Sequence, residues 1–94
     1  KVYENALRHR LVAQGYVVRQ QEYLPVFDED GTMLGEFSAD LIVGRELVLE
    51  IKACNALVSE HTAQLLGYLR AARIRHGMLI NFGAPRLQVK KFIL

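Results

Sequence analysis

Three ionisable residues sit inside otherwise apolar runs: Asp40 in SADLIV, and Glu50 and Lys52 in LVLEIKA. Side chains alternate along a strand, so Glu50 and Lys52 share one face while Leu49, Ile51 and Ala53 take the other. A charge on a half-buried strand costs free energy unless it is paired or bound to a metal. One arrangement that meets this need is an ion pair, Glu50–Lys52 or Asp40–Lys52, on a solvated sheet face. The other is a cation held between two carboxylates with an ammonium beside it. Register separates them, because directly opposed residues of an antiparallel pair share a face. A two-residue loop at 44–45 would pair Val43 with Glu46 and send Asp40 and Glu50 to opposite faces. A three-residue loop at 44–46 pairs Val43 with Leu47 and sets Asp40 across from Glu50. Carboxylates that close repel, and a hard cation such as Mg²⁺ would relieve the conflict.

The elements that must position these groups are readable from periodicity. Residues 2–14 place Val2, Ala6, Leu7 and Leu11 at helical spacing, and Gly15 supplies a stop. Tyr16 to Phe27 is β-rich, with Pro25 marking an edge position or a bulge. Asp28-Glu29-Asp30-Gly31 forms a turn, Met33 to Val43 returns as a second strand in which Gly35 marks a bulge, and residues 46–53 make a third. Ser59 predicts the N-cap of a helix running to Ile74, with Glu60 in its first turn and Gly77 as its end. MLINFG at 78–83 suits a short buried strand parallel to a neighbour, and after Pro85 the run RLQVKKFIL closes the chain as a last strand. The expected order is α-β-β-β-α-β-β, an α/β (α+β) domain. Its antiparallel three-strand meander is extended by a further strand into a mixed sheet flanked by helices.

Composition bounds the rest. At 94 residues and 51% hydrophobic content the chain is expected to form a single small domain over 1–94. It opens on Lys1 and reads as helix from Val2, so the extreme N-terminus is expected to lie upstream, and no signal peptide is evident. No run reaches the ~18–20 apolar residues of a membrane helix. Cys54 is alone, which rules out an intrachain disulfide and fits a reducing, cytoplasmic compartment. With one cysteine and three scattered histidines a structural zinc site is not expected. A net charge of +2 permits nucleic-acid binding without announcing it. Three local clusters, Arg8-His9-Arg10, Arg70 with Arg73 and Arg75, and Arg86 with Lys90 and Lys91, are either solvated faces or phosphate contacts.

The pattern of an Asp, then Glu-x-Lys on the following strand, then a helix resembles the PD-(D/E)xK nuclease signature. More closely, the chain is similar to the GxxExxY family, a branch of that superfamily. VYENAL at 2–7, GEFSADLIV at 35–43, LVLEIKA at 47–53, HTAQLLGYLRA at 61–71 and GMLINFGAPRLQVKKFIL at 77–94 carry the likeness. Ala39 stands where the nominal proline would precede Asp40. The upstream Gly and Glu of GxxExxY precede Lys1, leaving Glu4 as the candidate first-helix acid within these residues.

The resemblance implies a restriction-endonuclease-like core. It further implies that Asp40, Glu50 and the carbonyl of Ile51 hold one Mg²⁺ or Mn²⁺, with Lys52 orienting a water or stabilising charge on the phosphate. Gln64 and Tyr68, at i and i+4 on one helix face, are similar to a Gln-x3-Tyr pair of the helicase-associated branch, in which Gln supports the carboxylates. His61 lies near this pair but reads as an exposed helix residue. The implied partner is DNA or RNA, with no membrane partner and a homodimer left open. The competing function is a catalytically silent nuclease-fold domain that binds nucleic acid or a protein.

Overall fold

A computed structural model describes residues 1–94. The elements run α1 (Val2–Ala13), β1 (Val18–Phe27), β2 (Met33–Val43), β3 (Leu47–Lys52), α2 (Ser59–Ala72), β4 (His76–Asn81) and β5 (Gln88–Ile93), the expected order. All five strands join one sheet in the order β1-β2-β3-β4-β5. The first three form the antiparallel meander, β4 lies parallel to β3, and β5 returns antiparallel. A parallel step needs a crossover connection, and α2 provides it. Pro25 lies on edge strand β1, where its missing N–H interrupts no inner ladder, and the register slips at Val26/Phe27 opposite Gly35 and Met33.

Helices cover both faces. Leu65, Tyr68 and Leu69 of α2 pack with Ile42, Val48 and Leu79, while Leu7 and Leu11 of α1 pack against Leu41, Val43, Leu49 and Ile80. Full burial of a leucine contributes roughly 1.5–3 kcal/mol. Leu41, Leu65, Leu69 and Leu79 are all fully buried and supply a core able to hold one poorly solvated acid. No helix is long and apolar enough to cross a membrane.

Alternation fails at one place. Ala39 packs on the α2 side, yet Leu41, two residues on, packs on the α1 side. In β1, Leu24 joins the α2 cluster and Val18 the α1 cluster, although both are even-numbered. The pairs Gln20↔Leu41 and Glu22↔Ala39 bracket the reversal, which falls on Asp40 in β2 and on Gln21 in β1. Gln21 has a φ of 52°, left-handed backbone that a non-glycine residue rarely adopts.

Two end signals read from sequence are corrected. Ser59 is not the cap of α2 but its first residue; Val58 is the N-cap, and the His61 Nδ1 accepts the Val58 N–H at 3.0 Å. The helix ends at Arg73 (φ 58°, ψ 40°), and Gly77 lies inside β4 instead. There a Cβ would stand 3.0 Å from methyls of Leu65 and Leu69, so the glycine serves helix–sheet packing, not termination.

Candidate active site

The β2–β3 loop is the three-residue one, Gly44 taking positive φ (59°) and Val43 pairing with Leu47. Backbone pairing continues through Ile42↔Val48 to Leu41↔Leu49 and stops. Beyond that point the two acids take over the ladder. The Asp40 N–H donates to Glu50 Oε1 at 3.1 Å, and the Ile51 N–H donates to Asp40 Oδ2 at 2.8 Å. Each carboxylate satisfies a backbone donor that the parting strands would leave unpaired, a loss of about 1–3 kcal/mol when such a group is buried.

Glu50 is 2% exposed. Burial, followed by the Asp40 charge, pushes its carboxyl up to about 8, and the Lys52 ammonium offsets only part of this. Lys52 Nζ donates to Gln64 Oε1 at 2.7 Å, which brings α2 to the site. Tyr68, one turn on, is buried; desolvation and then the charges of Glu50 and Asp40 raise its phenol above the ordinary value, with Gln64 opposing. The Lys52 carbonyl faces β4, where it accepts the Phe82 N–H at 2.9 Å. Adjacent carbonyls in a strand point to opposite sides, so that of Ile51 faces the gap that opens where β2 departs.

Glu4 is buried, and its carboxylate accepts from Gln20 Nε2 (2.7 Å), Gln21 Nε2 (2.9 and 3.1 Å) and Lys1 Nζ (3.2 Å). Burial pushes this carboxyl up, but the donors from Gln21, Gln20 and Lys1 together outweigh it and leave it below the ordinary range. The same Gln21 amide reaches Asp40 Oδ1 at 3.3 Å, tying the first helix to the carboxylate pair. Gln21 was not among the residues singled out from sequence. The available signal was the polar run Gln20-Gln21-Glu22, which interrupts a strand that otherwise alternates.

The loop after Lys52 is fastened by Asn81, fully buried at the end of β4. Its Oδ1 accepts the N–H groups of Cys54 and Gly83 (both 3.0 Å), and its Nδ2 donates to the Cys54 carbonyl (2.9 Å) and to Gln88 Oε1 (3.0 Å). The segment leaving β4 at Asn81 is therefore stitched to the loop that follows Glu50 and Lys52. At Gly83 a Cβ would lie 2.4 Å from the Ala53 carbonyl carbon and the Cys54 nitrogen, atoms that cannot yield independently. Gly83→Ala is expected to destabilise the protein by about 2–3 kcal/mol, through the clash and the loss of the Asn81 bonds. A denaturant midpoint equal to that of the wild type would refute the close approach.

Asp40, Glu50, Lys52, Gln64 and Tyr68 thus converge, Glu4 joins them through Gln21, and His61 caps its helix. No group of three or more His, Cys, Asp or Glu side chains is placed to hold a metal. The available donors are two carboxylates, one inward-facing carbonyl and solvent. That hard, all-oxygen set fits a cation that keeps several waters, and one ammonium beside two acids leaves the negative charge for it to neutralise.

A family model described as the PD-(D/E)XK nuclease superfamily matches residues 1–92. No curated protein matches the chain. Among solved structures, SSO0001 superposes with a TM-score of 0.79 at 19% identity, over 98% of this chain and 48% of that one. The alkaline exonuclease LHK-Exo from Laribacter hongkongensis does so with a TM-score of 0.68 at 14% identity, over 98% of this chain and 54% of its own. The chain thus spans about half the length of these structures. At such identities the likeness is one of fold, here restriction-endonuclease-like.

Proposed function

The chain belongs to the PD-(D/E)XK nuclease superfamily, and from that premise we propose that Asp40, Glu50 and Lys52 form the active site of a Mg²⁺- or Mn²⁺-dependent nuclease cutting DNA or RNA. The observation that carries this reading is the Asp40–Glu50 pair, held by the Asp40 N–H donating to Glu50 and the Ile51 N–H donating to Asp40, with the Lys52 ammonium held beside it by Gln64. Within the superfamily we assign the chain to the GxxExxY branch, on the stretches that resemble it, as a single nuclease-like domain over 1–94. A cytoplasmic location is part of the same reading and rests on the lone Cys54.

In this mechanism Asp40, Glu50 and the Ile51 carbonyl would hold the cation, which would supply Lewis-acid polarisation of a phosphodiester oxygen and a lowered pKa for a bound water. Lys52 holds the attacking water or meets the negative charge that develops on the phosphate, and Gln64 keeps that ammonium aimed. Tyr68 closes the apolar side, keeping the local dielectric low so that these charges act strongly. The exposed arginines 8, 10, 70, 73, 75 and 86 belong to no ion pair, since the two pairs present are Lys1–Glu4 and Arg19–Glu22. They are free to meet a phosphate backbone.

The test pairs binding with chemistry. Mn²⁺ at ten times its Kd stabilises a protein that binds it only when folded by about 1.4 kcal/mol, on the order of 5–10 °C in Tm for a domain of this size. Wild type is expected to show this rise and to degrade at least one class of DNA or RNA; Asp40→Asn is expected to lose both. Equal Mn²⁺ responses in the two proteins would remove the metal site. A Mn²⁺ response with no cleavage of any nucleic acid tried would instead favour a silent, binding domain.

A further inference from the structure

Consecutive strand residues point to opposite faces, yet Gln20 and Gln21 both donate to Glu4. The left-handed φ of Gln21, 52°, makes this possible by rotating β1 in mid-strand. Such backbone costs a non-glycine residue about 1–2 kcal/mol, and strain of this kind persists where surrounding bonds over-determine it. Here those bonds are visible. The Gln21 Oε1 accepts the Ser38 hydroxyl at 2.9 Å, which fixes which way the amide is turned. The Nε2 is thereby directed at Glu4 Oε1 and Oε2 (3.1 and 2.9 Å) and at Asp40 Oδ1 (3.3 Å). Asp40 Oδ2 is already engaged by the Ile51 N–H, so Gln21 is the side chain that engages the other oxygen.

We propose that Gln21 is a positioning residue, whose single amide holds the Asp40 carboxylate, and with it the Glu4 carboxylate, in the orientation the metal site uses. This rests on the metal-site reading above. Ser38, Gln21 and Glu4 link β2 through β1 to α1, and the same Gln21 amide reaches the Asp40 carboxylate that faces Glu50. Gln21 makes no hydrogen bond to Glu50 or Lys52, and its effect passes through Asp40.

Glycine separates positioning from simple support of the fold. Gln21→Gly removes the amide but adopts this φ without strain, whereas Gln21→Ala loses the amide and keeps the strain. Both variants are expected to bind Mn²⁺ 10–100-fold more weakly by calorimetry, the range for a partner that orients a metal ligand. The Tm is expected to fall clearly only in Gln21→Ala. Mn²⁺ affinity equal to wild type in Gln21→Gly overturns the proposal, as does a loss confined to Gln21→Ala. A second measurement keeps this separate from the nuclease reading. In metal-free wild type the Gln21 side-chain amide protons should exchange at least tenfold more slowly than those of exposed Gln14. Exchange at the Gln14 rate overturns the bridge. Slowed exchange supports it even if wild type binds no Mn²⁺, a result that would remove the metal site alone.

Discussion

Lys52→Ala is expected to lower metal-dependent phosphodiester hydrolysis by roughly 10²–10³-fold, the usual loss when a preorganised group facing transition-state charge is removed. The expectation follows from where the ammonium stands. Lys52 shares a strand face with Glu50 and is anchored by Gln64 Oε1 at 2.7 Å, so it needs little reorganisation to act. Its charge is a minor influence on Glu50 compared with burial and with Asp40, so the folded state loses little when it goes. The effect should therefore appear in kcat, with the Tm and the Mn²⁺ response nearly intact. Lys52→Arg should not restore the rate, since a planar guanidinium cannot take the place of a compact ammonium held at one oxygen. Activity of Lys52→Ala within about threefold of wild type would sink the assigned role.

The second large effect concerns stability and pH. Glu50 has a folded pKa of about 8 against an ordinary 4.5, so the native state holds this proton more tightly than the unfolded chain does. The resulting stabilisation is fully present below about pH 4.5, declines as pH rises at up to about 1.4 kcal/mol per pH unit, and is gone above about pH 8. Across that window the loss is on the order of 3–5 kcal/mol for a single site. Glu50→Gln is neutral throughout and keeps an oxygen to accept the Asp40 N–H. At pH 8–9 without metal it should unfold at a higher temperature than wild type, and the gap should narrow toward pH 5. Added Mn²⁺ should reverse the order, because only the wild type offers two carboxylates. A gap that does not change between pH 5 and pH 9 would show that Glu50 titrates normally.

These expectations depend on features that differed in how plainly the sequence displays them. The order of elements, the meander and the parallel β4 follow from hydrophobic period and turn residues, which tertiary context here left undisturbed. The facing of Asp40 and Glu50 was narrower: it required choosing between two loop lengths, and Gly44-Arg45-Glu46 permits either. Gln64 was singled out through the resemblance to a Gln-x3-Tyr pair, while helix spacing alone gave only a face shared with Tyr68. Local rules failed where other contacts decided: the cap of α2 fell one residue earlier, on Val58, whose N–H the His61 Nδ1 accepts, and Gly77 was needed beneath Leu65 and Leu69. Gln21 was illegible for a related reason. Nothing about a glutamine announces a left-handed backbone, and the bonds that hold it come from Ser38, Asp40 and Glu4, up to 19 positions away.

The hydrogen bonds at the fork between β2 and β3 also bear on how such a site evolves. Asp40 and Glu50 are parts of the sheet as well as candidate ligands, since each accepts an N–H that the separating strands release. A lineage that ceased to cut nucleic acid would still meet purifying selection for an acceptor at each position. Lys52 and Gln64 carry no such second duty; their bond is to one another, at the exposed edge of the site. Of the four residues, these two would have only the proposed chemistry to preserve them, without help from the architecture.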